Sequence, residues 1–292
     1  MYIINKRKVI NMFDLNRGPY SIYKKIVLHL ILIIISFIVL MPIIFGISVS
    51  MQPRAQIFSY PPSFLPDKLY FENYIKAWHL VSLDKILINS IIASSVVMLG
   101  KLGLGVLSGY AFSHFEFKYK KFLFFAVLFT LMLPMQVRVV PLFEFIIRLG
   151  LGNSFSGLVL PFLASATTTF LMRQHFLTIP KSIMESAQID GCGPFRFLFQ
   201  ILLPLSGANL AGLAVVNFLV MWNAYLWPLI IINDDQKKLA QQGVKMLFAS
   251  SSERDWGIIM AGTIMVVIPT LIVFLLAQKF FVKGIATQGI KE

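Results

Sequence analysis

The sequence predicts an all-α membrane protein with six transmembrane helices, and three observations lead there. Apolar residues make up 57% of the 292 positions and charged residues only 13%, with a mean hydropathy of +0.77; soluble domains carry charge at about a quarter of positions. The apolar residues gather in six blocks, each long enough to cross a hydrocarbon core of roughly 30 Å, which takes about 20 helical residues. The 26 Lys and Arg residues, which give a formal charge of +13, stand mainly at the N-terminus and between the blocks. That placement suits the loops of a membrane protein and argues against a nucleic-acid partner.

In chain order the blocks fall at about Ile26–Val49, Ile86–Ser113, Phe122–Ile147, Phe155–Met172, Asn209–Ile232 and Trp256–Phe281. Backbone polar groups in lipid must be satisfied internally, so blocks of this length are helices. Barrel strands would be about ten residues long and would alternate in polarity, and these do not. The first block follows Lys6, Arg7 and Lys8 as a secretion signal would. It is too long for one, however, and Met51-Gln52-Pro53 offers no small-residue cleavage site, which makes it an uncleaved anchor. The expected organisation is a cytoplasmic segment over 1–25, an anchor over 26–49, a five-span transport domain over 86–281, and a tail over 282–292. Pro134, Pro141 and Pro269 are expected to kink their spans. Gly100, Gly103, Gly105 and Gly109 are expected to let helices approach closely.

Orientation follows from loop charge. Fifteen basic residues lie in one set of loops, among them Lys6, Lys118, Lys120, Arg173 and Arg196, against nine in the other, including Arg54, Lys76 and Lys237. The richer side faces the cytoplasm, with both termini. The segments 50–85 and 233–255 then lie outside, with Trp78, Trp227 and Trp256 expected in an interfacial belt and 250–256 expected to meet an external partner.

Between the fourth and fifth spans the chain reads HFLTIPKSIMESAQIDGCGPFRFLFQILLPLSGANL. Pro180 starts a helix with Ile183, Met184 and Ala187 on one face, Asp190-Gly191 breaks it, and a second apolar stretch runs from Phe195 to Leu203. By physics alone this hairpin either packs only against its own chain or docks a partner. Its residues Glu185-Ser186-Ala187, Asp190-Gly191 and Ile201-Leu202-Leu203-Pro204 resemble the EAA loop of bacterial ABC-importer permeases. Gly191 falls four residues after Ala187 and Ile201 ten after Gly191, as in that pattern. Ser186 and Cys192 stand where the family often has alanine. The resemblance implies a type I ABC importer permease fold whose loop, at about 176–204, is a coupling helix. Glu185, Ser186, Ala187, Asp190, Gly191, Leu203 and Pro204 would then couple to an ATPase.

The resemblance runs from the second span to the C-terminus and is nearest the carbohydrate-uptake group, for which Trp222-Asn223 and Leu226-Trp227-Pro228-Leu229 are typical. Leu99–Lys101, Leu131–Pro134, Val137–Pro141 and Ser165–Phe170 are similar to the membrane subunits of glycerol-phosphate importers. The resemblance implies a second permease subunit, a dimer of ATPase subunits and an extracytoplasmic solute-binding protein. It also implies import of sn-glycerol-3-phosphate or glycerophosphodiesters, with an uncharged sugar as the alternative. No cofactor is expected on this chain, since it has no G-x-x-x-x-G-K-[ST] phosphate cradle and ATP must be bound by a partner.

Lys101 and Arg138 are charges inside spans, estimated at roughly 22 Å and 14 Å from the outer end at 1.5 Å per residue. A mid-membrane charge costs about 2.5–3.5 kcal/mol on insertion scales and normally faces a cavity or a partner. Either the two guide a phosphate, which a guanidinium fork and an ammonium suit, or Arg138 pairs with a carboxylate such as Glu144 while Lys101 snorkels. Gln136, Asn217, Asn223, Tyr225 and Trp222 are further candidates for the solute pathway, with helix packing the plainer role for Trp222 and Trp227. Cys192 has no partner for an internal disulfide, and His79, His114 and His175 show no ligand spacing. An ion-coupled secondary transporter is the rival of another class, but it would need membrane carboxylates and inverted repeats. Glu144 is the sole candidate for such a carboxylate.

Overall fold

The computed structural model describes residues 21–61, 63–250 and 255–288, and among them it is helical without strands. The segment 1–20, the last four residues and most of the expected external contact at 250–256 lie outside the described residues. The chain begins with α1 (Ser21–Ser50), followed by short α2 (Arg54–Ile57) and α3 (Glu72–Leu80). Next come α4 (Leu83–His114), α5 (Lys120–Phe129), α6 (Met135–Arg148), short α7 (Phe155–Val159) and α8 (Ala166–Thr178). The hairpin comprises α9 (Lys181–Ile189), α10 (Pro194–Phe197) and α11 (Leu203–Leu205). The last four are α12 (Gly207–Trp222), α13 (Leu226–Ile231), α14 (Ala240–Ser250) and α15 (Trp256–Gln288).

Four stretches are long and apolar enough to cross a membrane: Ile22–Ser50, Leu83–His114, Phe155–Thr178 and Trp256–Gln278. The count becomes six when two bent pairs are each taken as one crossing. One bend falls at Pro134, where a kink is expected, but as a full break between two helices; the others are not expected from the sequence. The third block turns by 103° between Met132 and Met135. Leu133 there is extended, as a residue before proline prefers to be, and Pro134 opens the next helix at its N-cap. The second bent pair turns by 81° at Ser206, between the Pro194–Leu205 arm and α12, and the fifth block is divided further on, by Asn223-Ala224-Tyr225, into α12 and α13. The fourth runs on past Met172 to Thr178 and is interrupted by a 3₁₀ turn at Leu160–Phe162. Pro141 and Pro269 lie inside α6 and α15.

α4 is the central post. It packs most extensively against α8 and α12, and α15 braces α12 from the other side while also supporting α1. The close approach of α4 and α8 depends on glycine: a Cβ on Gly105 would lie 2.5 Å from Thr168 Cγ2, and one on Gly109 would lie 2.8 Å from Met172 Cβ. Gly100 is similarly tight against Leu163, whereas Gly103 faces open space. The apolar stretch of α1 is not buried at all by its own chain. An apolar helix of that length with its stretch uncovered has lipid as its natural solvent.

On the side opposite the hairpin, asparagines close the loops. Asn153 Oδ1 accepts from the amides of Asn233 and Asp234, both at 3.1 Å. Asn89 donates to the carbonyls of Gln236 and Lys238, at 2.8 and 3.3 Å. The amide of Gln236 holds the Asp234 carboxyl below the usual range, helped by Lys237. Trp227 does not join an interfacial belt. It is buried, with Nε1 donating to Leu158 O at 3.2 Å, whereas Trp78 and Trp256 are partly exposed.

Candidate coupling hairpin and membrane pathway

The hairpin is built as a two-faced element. Pro180 occupies the N-cap of α9, and the helix ends where Asp190, Gly191 and Cys192 turn their amides onto Ser186, Gln188 and Ala187 carbonyls at 3.0, 3.0 and 2.8 Å. Gly191 has φ +71°, a left-handed conformation that a residue with a Cβ adopts only under strain. On the inner face, Ala187 is buried in a cluster with Val106, Tyr110, Met172, Phe176, Phe197, Leu198 and Leu202, and Ile183 and Met184 pack beside it. Tyr110 fastens the far arm by donating its hydroxyl to Pro194 O at 3.1 Å.

The outer face carries Glu185, Ser186, Asp190 and Gly191, all exposed. Glu185 has no ion pair among the described residues. Of the expected coupling residues, Ala187 is turned inward, and Leu203 and Pro204 belong to α11 on the return arm, with Leu203 packed against the inner cluster. Two residues that pattern reading passed over complete the outer face: Ile189 is 86% exposed and Phe195 73%. The legible signal was their position, large apolar side chains on either side of a glycine turn, where a solvated loop needs none.

The two cations expected inside spans differ in burial. Lys101 is only 8% exposed, on the packed face of α4, with no ion pair or hydrogen bond among the described residues. Ser94, two turns away on the same face, also buries an unpartnered hydroxyl. Arg138 instead stands exposed on the first turn of α6, next to exposed Gln136. Its expected depth assumed a straight span and is superseded by the 103° break. The suggested Arg138–Glu144 pair is not formed; Glu144 lies 4.0 Å from Arg148, one turn along α6.

Trp222 is a core residue in this conformation, 1% exposed and stacked on Phe218 with centroids 5.8 Å apart, so its ring offers no face to a solute. Asn217 is also internal and donates to Thr168 Oγ1 at 3.2 Å. Asn223 and Tyr225 mark the break between α12 and α13. Asn223 is exposed and accepts from Gln241 at 3.1 Å, and Lys245 lies 5.5 Å above the half-buried Tyr225 ring. Among the described residues no group of His, Cys, Asp and Glu is arranged to hold a metal.

Comparison with known proteins places this geometry. Residues 101–286 match the family described as binding-protein-dependent transport system inner membrane component. The sn-glycerol-3-phosphate transport system permease protein UgpE of Brucella abortus (strain 2308) is 39% identical over 265 residues, 88% of this chain and 94% of that protein. Its namesake in Rhizobium meliloti (strain 1021) is 38% identical over the same shares. The solved structure of a bacterial ABC transporter involved in the import of the acidic polysaccharide alginate shares the fold. Its TM-score is 0.77 at 24% identity, over 91% of this chain and 99% of that one. The matches cover most of the chain, and the chain belongs to the family of binding-protein-dependent transport system inner membrane components, as a multi-pass permease of an inner-membrane ABC importer and not an enzyme.

Proposed function

We propose that the chain forms half of the membrane pathway of an importer for sn-glycerol-3-phosphate or a closely related glycerophosphodiester. The observation that carries this is 38–39% identity, over 88% of the chain, to permeases named for that substrate. The site chemistry supports it. Arg138 sits exposed on the first turn of a half-helix that begins at a break within a span. The partial positive charge of a helix N-terminus and the guanidinium reinforce each other there, and in a low-dielectric setting an anionic solute relieves both. Gln136, Asn223 and Tyr225 supply neutral polar groups along the same pathway, and Lys101 adds positive potential from within the packed helices.

The remaining subunits follow from this assignment: a second permease, a dimer of ATPase subunits that binds the ATP, and an extracytoplasmic solute-binding protein. The hairpin faces the cytoplasm with both termini, and its outer face of Glu185, Ser186, Ile189, Asp190 and Phe195 docks the ATPase. This chain binds no cofactor. The substrate assignment is tested by uptake of labelled glycerol-3-phosphate and labelled maltose in cells carrying the whole set of genes. Glycerol-3-phosphate uptake that unlabelled maltose fails to compete is expected. Maltose uptake with no glycerol-3-phosphate uptake would instead establish the neutral-sugar alternative.

A further inference from the structure

His175, which motif reading leaves without a role, occupies the one place where the two roots of the hairpin meet. The outgoing root is the last turn of α8, and His175 lies on it three residues before that helix ends at Thr178. The returning root is the junction of α11 and α12, bent by 81° at Ser206. The imidazole contacts this junction with both nitrogens: Nε2 lies 3.0 Å from Ser206 Oγ, and Nδ1 receives Asn209 Nδ2. The Ser206 hydroxyl already donates to Leu202 O at 2.6 Å, so its lone pair is what remains for the imidazole. Nε2–H therefore donates to Ser206 while Nδ1 accepts from Asn209, and the network selects one neutral tautomer.

The junction is shaped to need such a fastening. A π-helical turn over Leu198–Leu202 precedes it, a form frequent at functional sites, and Pro204 lacks an amide hydrogen to continue the ladder. Ser206 stands at the N-cap of α12 and is fully buried, yet its side chain does not cap that helix. Serine at this position usually does cap; here the hydroxyl joins the preceding turn to His175. About two turns deeper in the membrane, Thr168 on α8 meets Asn217 on α12 in a second buried polar contact, at 3.2 Å. Both helices pack mainly against α4. The two polar contacts are thus a direct link between α8 and α12.

We infer that His175 is a positioning residue for energy coupling: it locks both roots of the hairpin together, so that displacement of the hairpin moves α8 and α12 as one body. Without it, the hinge at Leu198–Ser206 absorbs the displacement and hydrolysis proceeds with little transport. The inference rests on the reading of the hairpin as the ATPase-docking element.

The test uses the complete reconstituted importer and reads glycerol-3-phosphate moved per ATP hydrolysed. His175→Leu removes both polar contacts, and the ratio is expected to fall about fivefold or more, in keeping with the loss of two neutral hydrogen bonds. Basal hydrolysis and complex abundance stay near those of the unmutated importer. His175→Gln keeps a donor near the Nε2 position and recovers part of the ratio. Asn209→Ala lowers the ratio by itself but adds nothing to His175→Leu.

An unchanged ratio in His175→Leu at normal abundance overturns the inference. If that variant fails to accumulate, unchanged ratios in both His175→Gln and Asn209→Ala overturn it equally. Gly191→Val separates the two levels of the argument. Uncoupling by Gly191→Val with a silent His175→Leu leaves the hairpin as the docking element and removes the His175 lock; silence in both removes both.

Discussion

Two cations inside the spans obey different physics. Lys101 is enclosed by its own chain and Arg138 is not. With Glu144 committed to Arg148, no carboxylate within the described residues neutralises Arg138. Arg138→Gln is therefore expected to leave assembly intact while lowering glycerol-3-phosphate uptake. A charge-assisted hydrogen bond is worth about 1.5–3 kcal/mol, or roughly tenfold to hundredfold in rate. Arg138→Lys keeps the charge, loses the fork and should recover part of that loss. Uptake is read beside membrane abundance. Normal abundance with undiminished uptake would remove Arg138 from the pathway, and poor abundance would assign it instead to pairing with another subunit. Gly191 makes a second residue-scale case. A Cβ there meets nothing within 4 Å, so the penalty of substitution is backbone strain alone. Left-handed φ costs about 1–2 kcal/mol for a residue with a Cβ, and more for a β-branched one. Gly191→Val is expected to reach the membrane normally and to lose solute-stimulated ATP hydrolysis.

Helix pairs make their own demands. α4 and α8 touch backbone to backbone along Gly105 and Gly109, where neighbouring atoms come within 3 Å of any added Cβ. Gly105→Leu must force the two helices apart or distort Thr168, at a typical overpacking cost of about 1–3 kcal/mol. Because Thr168 also bonds Asn217, the separation reaches α12. Detergent-solubilised complex carrying Gly105→Leu should show a lower thermal midpoint than Gly103→Leu, since the Gly103 position is open. Equal midpoints would contradict the close packing. At this scale much was legible in advance. Pro180, Asp190-Gly191 and the apolar spacing of Ile183, Met184 and Ala187 predict α9 and its turn because those signals are local. The face that α9 presents was not legible, since Ala187 and Ile189 are both apolar and only the packing of Tyr110, Phe176 and Phe197 decides which is covered.

For the molecule as a whole, sidedness is the quantity most open to direct measurement. In a background with Cys192→Ser, Lys76→Cys on α3 should react with a membrane-impermeant maleimide in intact cells. Lys118→Cys and Phe195→Cys should react only after permeabilisation. The reverse pattern would invert the orientation that loop charge implies. Six crossings, the count when each bent pair is one span, would keep both termini on one side, and the orientation that loop charge implies would put cytoplasmic protein within reach of the exposed hairpin with its Ile189 and Phe195.

The sequence by itself determined the class of this protein, because apolar length and loop charge act locally and survive any tertiary arrangement. It also located the hairpin, whose proline, glycine and spacing are consecutive in the chain. Pro134 marked one break in advance, but only the tertiary structure decided how sharply the chain turns there and what each internal polar group meets. The burial of Trp222 and the exposure of Arg138 depend on which helices surround them. So does the His175–Ser206–Asn209 contact, whose members lie about thirty residues apart in sequence and meet only because α8 and α12 lean on the same post. Contacts of that separation have no period for pattern reading to detect; they are fixed by packing.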